Sequence, residues 1–198
     1  EGTYKLSVET YYKIYENLVD YKNGANLIFE DNIETQLLAG QGRAYGLEIM
    51  FEKQLGKVTG WVSYTLAKTE LQVDKGATPD EWINNGEWYA ANYDKPHDLS
   101  VVLTWHINKR WDVSSNFAYQ TGRPITPPES KAVFEGIIYP VTIQRNSMRI
   151  PDYHRLDIAA TWQLKNKPDR KWEHSLNFSV YNVYARRNAY SVFFRQNV

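Results

Sequence analysis

Apolar and polar residues alternate along residues 96–122, on both sides of a short polar turn at residues 108–110. The apolar positions are Leu99, Val101, Leu103, Trp105 and Ile107 before the turn, and Trp111, Val113, Phe117 and Tyr119 after it. A period of two is typical of a β-strand that has one apolar face. Each run has about ten residues, the length that a tilted strand needs to cross a bilayer. The pattern predicts one hairpin of a membrane barrel, with Trp105 and Trp111 at the membrane interface.

The same alternation recurs along the chain and predicts seven antiparallel strands. They cover residues 4–16, 43–54, 58–69, 97–107, 111–121, 153–164 and 171–196. Residues 189–198 are interpreted as the upper continuation of the last strand, after a polar break at residues 185–188. Bacterial barrels of this kind have an even number of strands and leave no strand edge in lipid. We therefore expect an all-β chain that forms part of a larger transmembrane barrel, with the closing strand missing.

The connections between these strands are alternately short and long. Tight turns are predicted near residues 56, 109 and 167, and long connections cover residues 17–42, 68–95 and 123–152. The third long connection contains five prolines, so it cannot be mostly helix or central strand. Compact soluble domains rarely contain structureless loops of this length. The asymmetry indicates short periplasmic turns and long extracellular loops, as in outer-membrane barrels.

Aromatic residues are concentrated near the predicted strand ends, where they would form two girdles. The turn-side girdle is predicted from Phe51, Trp105, Trp111, Trp162 and Trp172, and the loop-side girdle from Tyr12, Tyr15, Tyr64, Tyr119 and Tyr153. The mean hydropathy is −0.59, and no apolar run reaches the roughly 18 residues of a helical membrane span.

Charge and cysteine content exclude several classes of function. The 23 basic residues balance the 23 acidic ones, so nucleic acid is not predicted as a partner. The chain has no cysteine, which excludes thiolate catalysis, disulfides and cysteine zinc sites. The four histidines lack the spacing of metal ligands, and neither a metal nor another cofactor is predicted.

Two histidines lie near carboxylates in the sequence and raise the question of catalysis. A barrel hydrolase would need His97 or His154 to converge with carboxylates near the outer rim. The alternative is that Asp98, Arg155 and Asp157 form ion pairs and hydrogen bonds that line a wet lumen. The sequence favours this second interpretation, and no catalytic residue is predicted.

The long connections carry the candidate ligand contacts. In residues 73–95 four aromatic residues lie among amide and carboxylate groups, which can stack on and hydrogen-bond a sugar, siderophore or peptide. In residues 123–152 three arginines could bind anionic ligands or lipopolysaccharide phosphates. The candidates are Trp82, Trp88, Tyr89, Tyr93, Arg123, Arg145 and Arg149. The alternative is that the aromatic residues pack the loops together and the arginines pair with nearby carboxylates.

Five motifs, spaced along nearly the whole chain, carry a family resemblance. They are residues 42–48 (GRAYGLE), 93–99 (YDKPHDL), 121–124 (TGRP), 145–157 (RNSMRIPDYHRLD) and 179–184 (SVYNVY). In this order they resemble the C-terminal barrel of TonB-dependent outer-membrane receptors, most closely those of the Bacteroidetes type. The resemblance implies a 22-stranded barrel with an N-terminal plug, of which residues 1–198 would form about strands 15 to 21. The plug, the TonB-binding segment and the closing strand would lie outside these residues.

The resemblance also implies a function and partners. The complete receptor would import a scarce nutrient of the siderophore, cobalamin, glycan or peptide class, and TonB would supply the energy by pulling on the plug. The expected partners are outer-membrane lipid and lipopolysaccharide, the receptor's own plug domain and remaining strands, TonB, and a possible surface lipoprotein. Two alternatives stay open, namely a soluble or surface β-barrel that binds a ligand and an outer-membrane barrel hydrolase.

Overall fold

A computed structural model describes residues 3–25, 32–74, 81–134, 137–164 and 172–194. Its strands are β1 (Tyr4–Tyr21), β2 (Leu37–Lys53), β3 (Val58–Gln72), β4 (Tyr89–Ala90), β5 (His97–Asn108), β6 (Trp111–Gln120), β7 (Pro124–Ile125), β8 (Ser130–Phe134), β9 (Ile137–Val141), β10 (Met148–Arg149), β11 (Tyr153–Gln163) and β12 (Ser175–Val180). Short 3-10 turns occupy Ile33–Gln36 and Ile83–Gly86. In the described part of the chain, no helix is long and apolar enough to cross a membrane.

The long strands form one antiparallel sheet in the order β1-β2-β3-β5-β6-β11-β12, and the short strand β4 pairs with the loop end of β3. Each long strand therefore pairs with the long strand that follows it in the sequence, because tight turns and long loops alternate along one continuous meander. β1 and β12 lie at the two ends of the sheet, which is not closed into a barrel. The predicted all-β antiparallel architecture is confirmed.

The hairpin at residues 96–122 has the predicted register. Leu99 pairs with Tyr119, Val101 with Phe117 and Trp105 with Val113, so their side chains share one face. Because side chains alternate along strands, this register places most apolar residues of the seven long strands on that same face, whereas Met50, Trp61 and Val102 lie on the opposite one. The apolar residues are exposed across the sheet, for example Leu6 at 65% and Phe178 at 59%. An exposed apolar face of this extent is what a barrel wall presents to lipid.

The opposite face carries mostly polar or small side chains. Ser63, Ser100 and Ala118 lie side by side across three strands, and Asn116 pairs with Asp157 on the next strand. In an outer-membrane barrel this face points to the interior. The sheet thus separates a lipid-facing surface from a polar one without a conventional hydrophobic core between them.

The buried hydrophobic cluster of the described residues lies at the loop end of the sheet. It consists of Leu38, Val73, Ile83 and Tyr89, with Leu71 packed against it. Its members come from the ends of β2 and β3 and from the connection that follows β3. The packed core of the described residues therefore lies among the long connections, not in the long strands of the sheet.

The predicted first connection, residues 17–42, is wrong in extent. β1 continues to Tyr21 and β2 begins at Leu37, so the connection between them covers only residues 22–36. A register shift between Tyr15 and Leu18 absorbs the irregular residues, and Asn17 adopts a positive φ of 56° there. Pairing then resumes from Leu18 to Tyr21, because a bulge bends a strand without ending it.

The third connection is a loop with internal strands, which the sequence reading did not anticipate. β8 pairs with β9, and β7 pairs with β10, as two small sheets separate from the wall. Proline is tolerated there because both sheets have only two strands, so every strand is an edge strand. The exclusion of long helix and central strand from this connection agrees with the structure.

The predicted last strand, residues 171–196, is wrong in its upper half. β12 ends at Val180, and residues 181–194 contain no assigned strand. Asn182 and Ala185 adopt positive φ angles of 54° and 51°. The Asn182 side chain accepts a hydrogen bond from the Arg186 amide (3.1 Å) and donates one to its carbonyl (3.0 Å), which closes a local turn. This turn competes with strand extension and prevents it.

The girdles are partly as predicted. On the turn side Trp111 and Trp162 stack with ring centroids 5.7 Å apart. On the loop side Tyr12, Tyr64 and Tyr119 share the lipid face, but the register turns Tyr15 and Tyr153 to the polar face. Those two assignments fail because each residue is an odd number of positions from the apolar residues of its own strand. The turn near residue 167 lies outside the described residues.

Candidate functional site at the loop rim

The loop rim, defined as the described parts of residues 17–36, 73–96 and 121–152, is held together by Arg145. Its Nη1 lies 2.8 Å from the Asp20 Oδ2, and its Nη2 donates to the Tyr21 carbonyl and the Asn23 Oδ1, each at 2.8 Å. The Arg145 side chain is only 14% exposed. One guanidinium therefore joins the third connection to the first, and its five donors in a fixed fork suit this role.

Two asparagines complete the junction between the second and third connections. The Asn84 side chain donates to the Arg145 carbonyl (3.0 Å) and accepts from the Arg145 amide (2.7 Å). The Asn146 side chain donates to the Ala90 carbonyl (2.7 Å). Both asparagines have positive φ, near 51° and 57°, which asparagine tolerates better than most residues. Sequence reasoning missed both, although asparagines in a long loop are a usable signal for such turns.

Tyr89 is buried in the rim rather than presented to a ligand. It is 5% exposed, and its hydroxyl donates to the Asp20 Oδ2 at 2.6 Å. Burial, together with the adjacent Asp20 carboxylate, raises the pKa of Tyr89 well above its ordinary value. The hydroxyl consequently stays protonated and acts as a donor. Tyr89 therefore packs the loops together, as the alternative interpretation of the aromatic residues expects.

Arg149 forms another ion pair of the rim. It pairs with the Asp94 carboxylate, whose side chain is 1% exposed, and it also donates to the carbonyls of Asp94 (2.9 Å) and Gly122 (3.0 Å). The same carboxylate accepts a hydrogen bond from the Thr69 amide at 2.7 Å. The prediction that rim arginines pair with carboxylates is confirmed for Arg145 and Arg149.

The other candidates have different surroundings. Trp82 is half-buried beside the 3-10 turn, and Trp88 is half-buried with its ring 4.2 Å from the Arg43 guanidinium carbon. Tyr93 is 67% exposed. Arg123 is exposed, and its side chain makes no hydrogen bond or ion pair within the described ranges. Tyr93 and Arg123 therefore face solvent with their recognition groups accessible.

A cleft of about 230 Å³ opens at the rim beside Tyr93. Aliphatic side chains, amides and two tyrosines line it, including Leu18, Gln41, Leu71, Tyr89, Asn92 and Tyr93. Asp20 also lines the cleft, but Arg145 neutralises its charge. The cleft combines apolar surface with neutral hydrogen-bonding groups.

The histidines of the hydrolase alternative do not meet carboxylates. His97 Nδ1 bonds to the Tyr64 hydroxyl and His154 Nδ1 to the Tyr184 hydroxyl, each at 2.8 Å. The predicted ion pair of Arg155 with Asp157 is present at 2.9 Å. Among the described residues no group of three acidic or imidazole side chains could hold a metal ion.

A different group of polar side chains, which sequence reasoning missed, lies near the tight turn at residues 108–110. His106 Nδ1 bonds to Asp112 Oδ1 at 2.7 Å, and His106 Nε2 lies 3.0 Å from the Thr59 hydroxyl. The sequence carried a signal for this contact, because His106 and Asp112 flank the turn at residues 108–110 and pair across it. The contacts link three neighbouring strands on the polar face.

The sheet has an exposed apolar face, a mostly polar opposite face, tight turns at one rim and interlocked loops at the other. These features are typical of a segment of an outer-membrane β-barrel wall. The sequence matches the family described as "TonB dependent receptor-like, beta-barrel" over residues 1–183, and the chain belongs to this family. No curated protein and no solved structure matches the chain. Members of this family are outer-membrane receptors and transporters, which counts against both the soluble module and the hydrolase.

Proposed function

We propose that the chain forms part of an active importer of a scarce nutrient and that the nutrient binds first at the loop rim. The observation that carries the proposal is the interlocking of three connections, through Arg145, Asn84 and Asn146, into a preorganised extracellular surface. A loop surface already ordered before binding loses less conformational entropy when a ligand arrives. The proposed energy source is TonB, acting through a plug domain.

Five of the seven candidate residues have one of two roles in this proposal. Tyr93 and Arg123 contact the nutrient because their side chains are exposed. Tyr89, Arg145 and Arg149 position the loops because their polar atoms are already engaged. Trp82 and Trp88 are half-buried and lie between these groups in accessibility.

The cleft beside Tyr93 favours a neutral, hydroxyl-rich part of the nutrient. An aromatic ring next to amide groups can stack on a sugar-like ring while hydrogen-bonding its hydroxyl groups. The ion pair of Asp20 with Arg145 leaves little net charge to attract an ion into the cleft. Within the siderophore, cobalamin, glycan and peptide classes, this chemistry favours a glycan.

The experiment uses the full-length protein in cells that depend on it for growth. Growth on a panel of glycans, peptides, cobalamin and ferric siderophores identifies the nutrient class, and purified protein then gives its dissociation constant. We expect Tyr93→Ala to weaken binding about tenfold through the lost ring, and Tyr93→Phe to keep most of the affinity. Arg110→Ala is the control for Arg123→Ala, because Arg110 is exposed at the opposite rim.

Two results would contradict the proposal at separate steps. Wild-type affinity in both Tyr93→Ala and Arg123→Ala would place the nutrient site away from these residues. Unchanged uptake in cells without TonB would instead remove the active-import mechanism. The proposed remaining partners, namely the rest of the barrel, lipopolysaccharide and a surface lipoprotein, are tested by mass spectrometry of the purified complex.

A further inference from the structure

A charged cluster lies on the lipid-facing side of the wall, at the loop ends of β2 and β3. Arg43 pairs with Glu70 and Tyr45 pairs with Lys68 in the strand register. By alternation these residues share a face with Leu47, which pairs with Leu66 one row closer to the membrane centre. Charged side chains on this face are costly at the midplane but not near the interface. Their place at the extracellular end therefore assigns them to headgroup depth.

The buried Glu70 carboxylate forms ion pairs with two cations in this cluster. Glu70 Oε2 accepts from Arg43 Nε (2.8 Å) and Arg43 Nη2 (2.7 Å), while Glu70 Oε1 lies 2.6 Å from Lys68 Nζ. The Glu70 side chain is 6% exposed, whereas those of Arg43 and Lys68 are 32% and 50% exposed. Two positive charges and one negative charge leave a net charge of +1. The cluster consequently presents its cations outward and hides its anion.

Aromatic rings hold the cluster in place. The Arg43 guanidinium carbon lies 4.2 Å from the centroid of the Trp88 ring, and Tyr45 stacks on Tyr12 with centroids 6.0 Å apart. The guanidinium is therefore fixed between Glu70 on one side and an indole ring on another. A fixed guanidinium beside an ammonium group is a favourable arrangement for an anionic tetrahedral group, because both donate charge-assisted hydrogen bonds.

We propose that Arg43 and Lys68 bind the phosphate group of a phosphorylated lipid in the outer leaflet. The acyl chains of that lipid lie along the apolar surface formed by Tyr45, Leu47 and Leu66. Charge complementarity and the continuous apolar surface below the cluster select a lipid rather than a free anion. Glu70 and Trp88 act as positioning residues that orient the two cations. This site is independent of the nutrient and of TonB.

The experiment measures lipid binding to the full-length protein in neutral detergent by native mass spectrometry. The probes are bisphosphorylated lipid A, the same lipid without phosphates, and inorganic phosphate. Because removing the cations alone would leave Glu70 buried without a partner, the test variant is Arg43→Gln, Lys68→Met and Glu70→Gln together. Lys13→Met is the control, since Lys13 lies in the row next to Arg43 but on the opposite face.

We expect the triple variant to bind phosphorylated lipid A at least about tenfold more weakly, and Lys13→Met to bind it like the wild type. Lys68→Arg keeps the positive charge and should retain binding. Equal binding of the dephosphorylated lipid would show that the site does not recognise the phosphate. Competition by equimolar inorganic phosphate would show that the site binds a free anion and not a lipid. Unchanged affinity in the correctly folded triple variant would overturn the site itself.

Discussion

Leu103→Arg tests the orientation of the wall most directly. Leu103 lies at the middle of β5 on the apolar face, is 40% exposed, and pairs with Gly60 and Ser115 on the neighbouring strands. Arginine on the lipid face at the bilayer midplane costs about 2–4 kcal/mol. Since about 1.4 kcal/mol corresponds to a tenfold change, the folding equilibrium should shift about 30- to 700-fold toward the unfolded state.

The control is Ser100→Arg, three residues away on the same strand but on the polar face. Its register neighbours, Ser63 and Ala118, are small and leave room for the new side chain. We expect this change to cost less than about 1 kcal/mol, because the interior of a wide barrel is wet. The measurement is the denaturant unfolding of the full-length protein in phospholipid vesicles, followed by tryptophan fluorescence. Equal stability of Leu103→Arg and wild type, or a larger loss in Ser100→Arg, would falsify the assignment of the faces.

Three further predictions concern the loop rim. A Cβ atom at Gly122 would lie 1.8 Å from the Ile150 carbonyl oxygen, so Gly122→Ala should cost about 1–3 kcal/mol in thermal unfolding; an unchanged midpoint would show that the contact can relax. Arg145→Met removes the cationic partner of Asp20, and we expect limited proteolysis to cut the loops sooner while the wall stays protected. The Gly122 amide donates to Asp152 and lowers the pKa of its carboxyl. A lowered pKa stabilises the fold above the ordinary range near pH 4 and loses this contribution as the pH falls. The wild type should therefore lose its stability advantage over Asp152→Asn between about pH 5 and pH 3, and parallel melting profiles would contradict this.

The wall of the barrel could be predicted from local sequence because its signal is local. Alternation with period two assigns every residue of a strand to one of two faces, and a single register error would move all of them at once. The hairpin at residues 96–122 shows this, since Leu99, Val101 and Trp105 pair with the apolar residues expected opposite them. Tyr15 and Tyr153 were wrongly assigned to the girdle because they lie at the right height along their strands but on the polar face.

Strand ends were less predictable because partners, not propensities, determine them. Residues 17–21 and 37–42 contain asparagine and glycine and resemble a loop, yet the two segments pair with each other past a bulge. The opposite error occurred after Val180, where the strand-like residues 189–194 do not extend β12. There a single side chain, Asn182, closes a turn with Arg186 and redirects the chain.

By itself, the sequence determined the all-β wall, its lipid-facing residues, its short turns and long loops, and the family to which it belongs. Only the tertiary structure decided which rim residues are scaffold and which are accessible. Arg145 and Asp20 are far apart in the chain, as are Arg149 and Asp94, and each arginine has several acidic residues within similar reach in the sequence. The choice among them depends on the register of the sheet below, which brings the loop ends together, buries the Asp94 carboxylate and partly buries that of Asp20.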